Sequence, residues 1–236
     1  MRILILNFLF IIAACSTSPE GSENENEEKL FIRLSAEETG IEFINALEER
    51  GDLDVFRYRN FYNGGGVGIG DINNDGLADV YLTSNMGDNK LYLNKGNWKF
   101  EDITSHARVR GSKIWSTGIS MADVNGDGWL DLYVCNAGDV KGGRRENELF
   151  INNGDLTFTE SAEKFGLADP GFTTHAAFFD FDKDGDLDCY VLNNSYRPAS
   201  SLGYRNLRNE RDKLGGHKLF RNDNNFFKDI SESARI

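Results

Sequence analysis

The chain has 236 residues, 39% hydrophobic and 27% charged, with 38 acidic against 26 basic side chains and a formal net charge of −12. That length and apolar content suffice for a folded core. The acidity disfavours a nucleic-acid partner, because phosphate binding needs a positive surface.

Residues 1–14 read as a signal peptide. A minimal charged start, Met1-Arg2, leads into an apolar run from Ile3 to Ala14 that is broken only by Asn7. That run is too short to span a bilayer. It ends in Ile12-Ala-Ala-Cys15, which resembles the lipobox of bacterial lipoproteins. Cys15 would then be the acylated first residue of the mature chain, giving a membrane partner through lipid and an address on the outer membrane or cell surface. An ordinary cleaved signal with an incidental cysteine is the alternative reading. Residues 15–28 are polar and acidic, have no large apolar side chain, and read as a flexible lipidated tether.

Residues 29–62 form a lead-in. Its stretch from Phe31 to Ile41 aligns with two later segments, Phe100–Val109 and Phe227–Ile236. Each of those is expected to be the outer strand of a repeat, so the strand near Phe31 is surplus to the repeats present.

Three repeats follow, at 63–110, 111–170 and 171–236. Each carries an aspartate-rich nonapeptide of the form D-x-[ND]-x-D-G-x-x-D. The copies run from Asp71 to Asp79, Asp123 to Asp131 and Asp180 to Asp188. Oxygen-bearing side chains at positions 1, 3, 5 and 9, with glycine at position 6 for a sharp turn, are what a hard cation such as Ca²⁺ demands. Turn chemistry alone does not require four oxygen residues at fixed spacing three times. The expected ligands are Asp71, Asn73, Asp75 and Asp79 with the carbonyl of Leu77; Asp123, Asn125, Asp127 and Asp131 with the carbonyl of Trp129; and Asp180, Asp182, Asp184 and Asp188 with the carbonyl of Asp186. The loop differs from an EF-hand, whose bidentate glutamate stands at position 12 on a helix. Here position 12 is Leu82, Val134 or Val191, in a β-branched and aromatic run typical of a buried strand.

Each metal loop is thus a strand–loop–strand tip, and a second hairpin follows it. Asn94-Lys-Gly96 and Asn152-Asn-Gly154 between apolar runs are hairpin turns, and Asn224 stands where the third repeat lacks the glycine. Four strands per repeat point to an all-β fold, the blades of a β-propeller. Three blades fall short of the four to eight that usually close a ring. The expectation is therefore a partial, open propeller with exposed blade faces, prone to aggregate or oligomerise.

These residues resemble the FG-GAP/VCBS repeats of the integrin α-chain propeller and of the cartilage-acidic-protein/UnbV group. The resemblance covers residues 29 to 236 and rests on the metal loops together with Phe61-Tyr-Asn-Gly-Gly-Gly-Val67, Asn89–Gly96 and Asn147–Gly154. The literal Phe-Gly…Gly-Ala-Pro signature is missing. The resemblance implies an integrin α-like, calcium-binding module that acts by adhesion or scaffolding on the cell envelope. An alternative is an accessory part of a polysaccharide-handling or enzymatic system whose catalytic region lies elsewhere.

Signs of catalysis are weak. The three histidines His106, His175 and His217 fall in different repeats, and no nucleophile elbow, zinc-protease motif or phosphate loop occurs. Catalytic residues and organic cofactors are therefore expected to be absent. Cys135 and Cys189 sit at unlike positions in their repeats and read as buried free thiols. Arg50-Gly51-Asp52 is read as coincidence. The blade topology puts the metal loops and tight turns on one face. The long connectors 137–147 and 195–217 fall on the other, as a protein- or glycan-binding surface or as solvated loops.

Overall fold

The computed structural model describes residues 30–49, 53–56, 58, 60–138, 145–194 and 211–236. The signal, the tether with Cys15, the Arg50–Asp52 tripeptide and most of the two long connectors lie outside the described residues. No helix among the described residues is long and apolar enough to cross a membrane.

Among the described residues, twelve strands form three four-stranded antiparallel sheets, each in sequential order. The first holds β1 (Val67–Gly70), β2 (Asp79–Leu82), β3 (Lys90–Asn94) and β4 (Phe100–Asp102). The second holds β5 (Ser116–Ala122), β6 (Asp131–Asn136), β7 (Glu148–Asn152) and β8 (Phe158–Glu160). The third holds β9 (Thr173–Phe179), β10 (Asp188–Asn193), β11 (Lys218–Asn222) and β12 (Phe227–Asp229). The all-β reading and the four strands per repeat are borne out.

The sheets stack as blades, and the stacking explains the sequence pattern. A strand covered on both faces has no solvent side, so its hydrophobicity need not alternate. In the central blade β6 is buried at every position. Leu132 and Val134 face the first blade, where they join Tyr81, Leu91, Ile103 and Val109 in one core. Tyr133 and Cys135 face the third blade, in a core with Leu149, Leu167, Cys189, Val191 and Phe227. A tyrosine on the second strand ties each of the first two blades to the end of its own repeat. Tyr81 Oη donates to the Val109 carbonyl at 2.6 Å, and Tyr133 Oη donates to the Leu167 carbonyl at 2.9 Å. Cys135 and Cys189 are free and buried, as expected, and burial pushes both thiols up from the ordinary range.

The outer strands β4 and β8 each run into one turn of helix where strand was expected. Those turns are α2 (Thr104–Ala107) and α3 (Ala162–Phe165). Both end on a left-handed residue, Arg108 at φ 62° and Gly166 at φ 78°. At Gly166 the left-handed backbone coincides with a close approach: a Cβ there would lie 2.5 Å from the Phe227 carbonyl oxygen of the next blade. Alanine would meet both penalties. Gly166→Ala is expected to cost about 1–3 kcal/mol, read as a lower urea midpoint with an unchanged slope.

The lead-in differs from expectation. The chain divides into two units, Met1–Leu34 and Ser35–Ile236. Of the first unit only residues 30–34 are described. They form no strand, and Leu30, Phe31 and Ile32 are exposed. The second unit opens with α1 (Ala36–Thr39), capped by Ser35 and Glu38 in a reciprocal capping box and ended by left-handed Gly40 at φ 80°. Further along, Tyr58 and Phe61 are buried against Trp115 and Ala137. Tyr58 meets Trp115 edge-on with ring centroids 5.2 Å apart. The end of the lead-in is therefore held by packing, because Tyr58 and Phe61 close over the start of β5.

Candidate metal centres

Each nonapeptide joins the first two strands of its blade. Position 9 is the most enclosed part of all three loops. Asp79, Asp131 and Asp188 are fully buried at the start of β2, β6 and β10. One oxygen of each accepts the backbone N–H of position 2: Ile72, Val124 or Phe181, each at 3.0 Å. The other accepts the N–H of Asn94, Asn152 or Asn222 at 2.7–2.8 Å. These carboxylates thus organise the loop before any cation is considered. Burial raises the Asp79 carboxyl and pushes Asp131 up to about 7, with Asp127 and Asp123 adding a smaller like-charge effect.

Position 1 anchors the rest of the turn. Asp71 accepts the N–H groups of Asp75 and Gly76, Asp123 those of Gly126, Asp127 and Gly128, and Asp180 those of Lys183 and Gly185. Such a tight turn needs left-handed backbone twice. Position 6 supplies it with Gly76, Gly128 and Gly185 at φ 85°, 90° and 99°; position 4 supplies it with Asn74, Gly126 and Lys183. The sequence reading foresaw the first requirement and missed the second.

The third loop gathers the most charge. Asp180, Asp182 and Asp188 bring carboxylate oxygens within 4.8 Å of one another. Among the described residues this is the one such group of acidic, histidine or cysteine ligands. In the first two loops position 3 is asparagine, and its amide donates to the position-5 aspartate, Asn73 to Asp75 at 2.9 Å and Asn125 to Asp127 at 2.8 Å. Position 7 of the third loop adds Asp186, whose Oδ1 is shut off from solvent with no hydrogen-bond partner. Partial burial, followed by its neighbours Asp184 and Asp188, pushes this carboxyl up to about 6. A shielded carboxylate oxygen without a donor, beside a knot of like charges, is costly unless a cation neutralises it. The donor set is all oxygen and fits a hard divalent ion rather than a thiophilic one.

Three asparagines escaped notice as part of the site. Asn94, Asn152 and Asn222 each donate a side-chain N–H to the carbonyl just before the position-9 aspartate: Ala78, Leu130 or Leu187. Their side-chain oxygens accept an N–H of the tight turn from Gly96, Gly154 or Asn225. One residue thus ties the metal loop to the neighbouring hairpin and holds both on one face of the blade, as the topology predicted. In the sequence the latch shows as asparagine at the same place in all three turns, a signal that turn propensity alone also explains.

A profile of the FG-GAP-like repeat family matches residues 71–134 and 136–191, just over half of the chain. The chain belongs to the FG-GAP-like repeat family. Each matched stretch starts at or just after a structural landmark of the blades, the first at the opening aspartate of the first metal loop. Among curated proteins, cartilage acidic protein 1 of Xenopus tropicalis is 34% identical over 154 residues, covering 64% of this chain and 23% of that protein. The Mus musculus and Homo sapiens proteins of the same name are 32% and 31% identical over 58% and 59% of the chain. The chain spans about a quarter or less of the length of these relatives. Its FG-GAP-like repeats are integrin-like modules of the binding and adhesion type, and the resemblance read from the loops is borne out.

Proposed function

We propose that this FG-GAP-like chain is a calcium-loaded binding module on the bacterial cell envelope, acting in adhesion or as a scaffold rather than in catalysis. The observation that carries the reading is the all-oxygen loop repeated three times, with its shielded, partnerless Asp186 Oδ1. The residues that would hold Ca²⁺ are the aspartates and asparagines at positions 1, 3, 5 and 9 of each loop, with the carbonyls of Leu77, Trp129 and Asp186. A bound cation supplies charge neutralisation. The protein supplies the rigid frame: the buried position-9 aspartate and the asparagine latch fix the loop against two strands. Calcium then stiffens one face of every blade, while the connectors on the opposite face are free to vary and meet a protein or glycan. The test is to immobilise the full chain and screen cell-envelope polymers and surface proteins with and without chelator. Retention in calcium and release by chelator is the expected result; steady turnover of a polymer without retention would contradict it.

Anchoring is the second half of the proposal. The Ile12–Cys15 segment supports a lipid on Cys15. Cys15→Ser is expected to move the protein from the membrane to the soluble fraction, because a lipid supplies the membrane affinity. Mature membrane-bound protein that retains residues 1–14 would overturn it.

A further inference from the structure

The metal loops of the first and second blades touch. Asn74, at position 4 of the first loop, donates a side-chain N–H to the carbonyl of Gly128, position 6 of the second, at 3.1 Å. Asn152, the latch of the second blade, reaches back as well. The amide that donates to the Leu130 carbonyl also donates to that of Ile72, position 2 of the first loop, at 2.8 Å. Both Asn152 and Ile72 are buried. These two bonds fall among the expected ligands on either side. Ile72 lies between Asp71 and Asn73, and Asn74 lies between Asn73 and Asp75. Gly128 lies between Asp127 and the Trp129 carbonyl, and the backbone N–H of Asn152 is accepted by Asp131.

The second and third loops lack this bridge. Position 4 of the second loop is Gly126, which has no side chain to offer. Asn222, the counterpart of Asn152, donates to the Leu187 carbonyl within its own blade and to no atom of the second loop. Among the described residues no hydrogen bond joins the second loop to the third. The three repeats thus hold one bridged and one unbridged pair of neighbouring loops.

We infer that Asn74 and Asn152 are positioning residues that couple the first two calcium sites: occupancy of one raises the affinity of the other, while the third site gains nothing from its neighbour. This coupling rests on the calcium reading above. A cation that closes the first loop fixes Ile72 and Asn74, which are the first loop's half of the bridge. The second loop then has less freedom to lose when it closes on its own cation, and the effect is reciprocal. Charge acts the other way, because the first cation removes part of the negative field that attracts the second. That opposing effect is common to both pairs of neighbouring loops, and salt screens it beyond about 8 Å at physiological ionic strength. The difference between the two pairs therefore isolates the bridge. Couplings between sites commonly amount to roughly 5–150-fold in affinity. Two neutral hydrogen bonds place this pair at the low end, about fivefold.

The test titrates Ca²⁺ into the full chain at physiological salt by isothermal calorimetry, with sites removed by Asp75→Ala, Asp127→Ala or Asp184→Ala. For the first pair, the coupling factor is the overall two-site constant of Asp184→Ala divided by the product of two single-site constants. Those come from Asp184→Ala combined with Asp127→Ala and from Asp184→Ala combined with Asp75→Ala. The expected factor is about five for the first and second sites. It should be about one or lower for the second and third, measured likewise in the Asp75→Ala background. Asn74→Gly removes the amide and keeps left-handed backbone available, as Gly126 does in the second loop. It should bring the first factor down towards the second. A merely structural role of Asn74 would lower the single-site constants and leave the factor in place. Equal factors for the two pairs, or a factor that Asn74→Gly does not change, would overturn the coupling and leave the calcium reading standing. A parent chain that binds no calcium would overturn both. Should a double variant fail to fold, amide hydrogen exchange in the single variants decides. At half-saturating calcium the second loop should be protected more in Asp184→Ala than in Asp75→Ala, and equal protection would overturn the coupling.

Discussion

Adding a few millimolar Ca²⁺ to the metal-free chain is expected to raise its melting temperature by roughly 8–16 °C. Extracellular calcium modules bind at about 10⁻⁴–10⁻³ M. At about ten times Kd each site adds about 1.4 kcal/mol, so three sites add about 4 kcal/mol. A domain of this size shifts by roughly 2–4 °C per kcal/mol. The physical source is neutralisation of carboxylates that burial first and like-charged neighbours second make costly: Asp131 and Asp186 are pushed up to about 7 and about 6. Differential scanning calorimetry in calcium and in chelator measures the shift. Identical melting in both would contradict it.

Two aspartates of the same loop are expected to behave differently when removed. Asp127 stands at position 5, exposed at the loop tip, where it accepts the Trp129 N–H. Asp131 is buried, and its two oxygens accept the N–H groups of Val124 and Asn152. Asp127→Ala is expected to lose one calcium site and at least the corresponding third of the calcium-induced stabilisation, with little change in the metal-free chain. Asp131→Ala leaves two amide hydrogens without acceptors, each costing about 1–3 kcal/mol. It should therefore destabilise the metal-free chain by about 2–6 kcal/mol, and in calcium should lose one site's stabilisation as well. Urea titrations of both variants in both conditions distinguish them. Equal costs for the two substitutions would show that position 9 has no organising role apart from the cation.

The most legible parts of the molecule were those whose chemistry is local. An Asp/Asn/Gly pattern dictates its own turn, so the three loops and the left-handed Asn224 at φ 59° could be read residue by residue. The buried strands after Asp79, Asp131 and Asp188 were legible for a similar reason, as continuous apolar runs. The helical turns α2 and α3 were not, because four residues carry no helical periodicity; what makes them is a left-handed end packed on the next blade. The N-terminal alignment shifted by one residue for the same reason: Phe31 looked like Phe100, but Ser35 and Gly40 fix the turn in the register of Ser161 and Gly166. The core of Tyr58, Phe61 and Trp115 joins residues more than fifty positions apart, and no pattern in the lead-in announces it. The asparagine latch was visible as a repeat, yet its function needed the distance between two hairpins.

Three cation sites in one chain are the central claim. Native mass spectrometry of the folded protein, exchanged from calcium into volatile buffer, counts them directly. The expected count is three bound Ca²⁺ in the parent chain and two in Asp127→Ala. A folded protein that carries no calcium, or an Asp127→Ala variant with the same count as the parent, would contradict it.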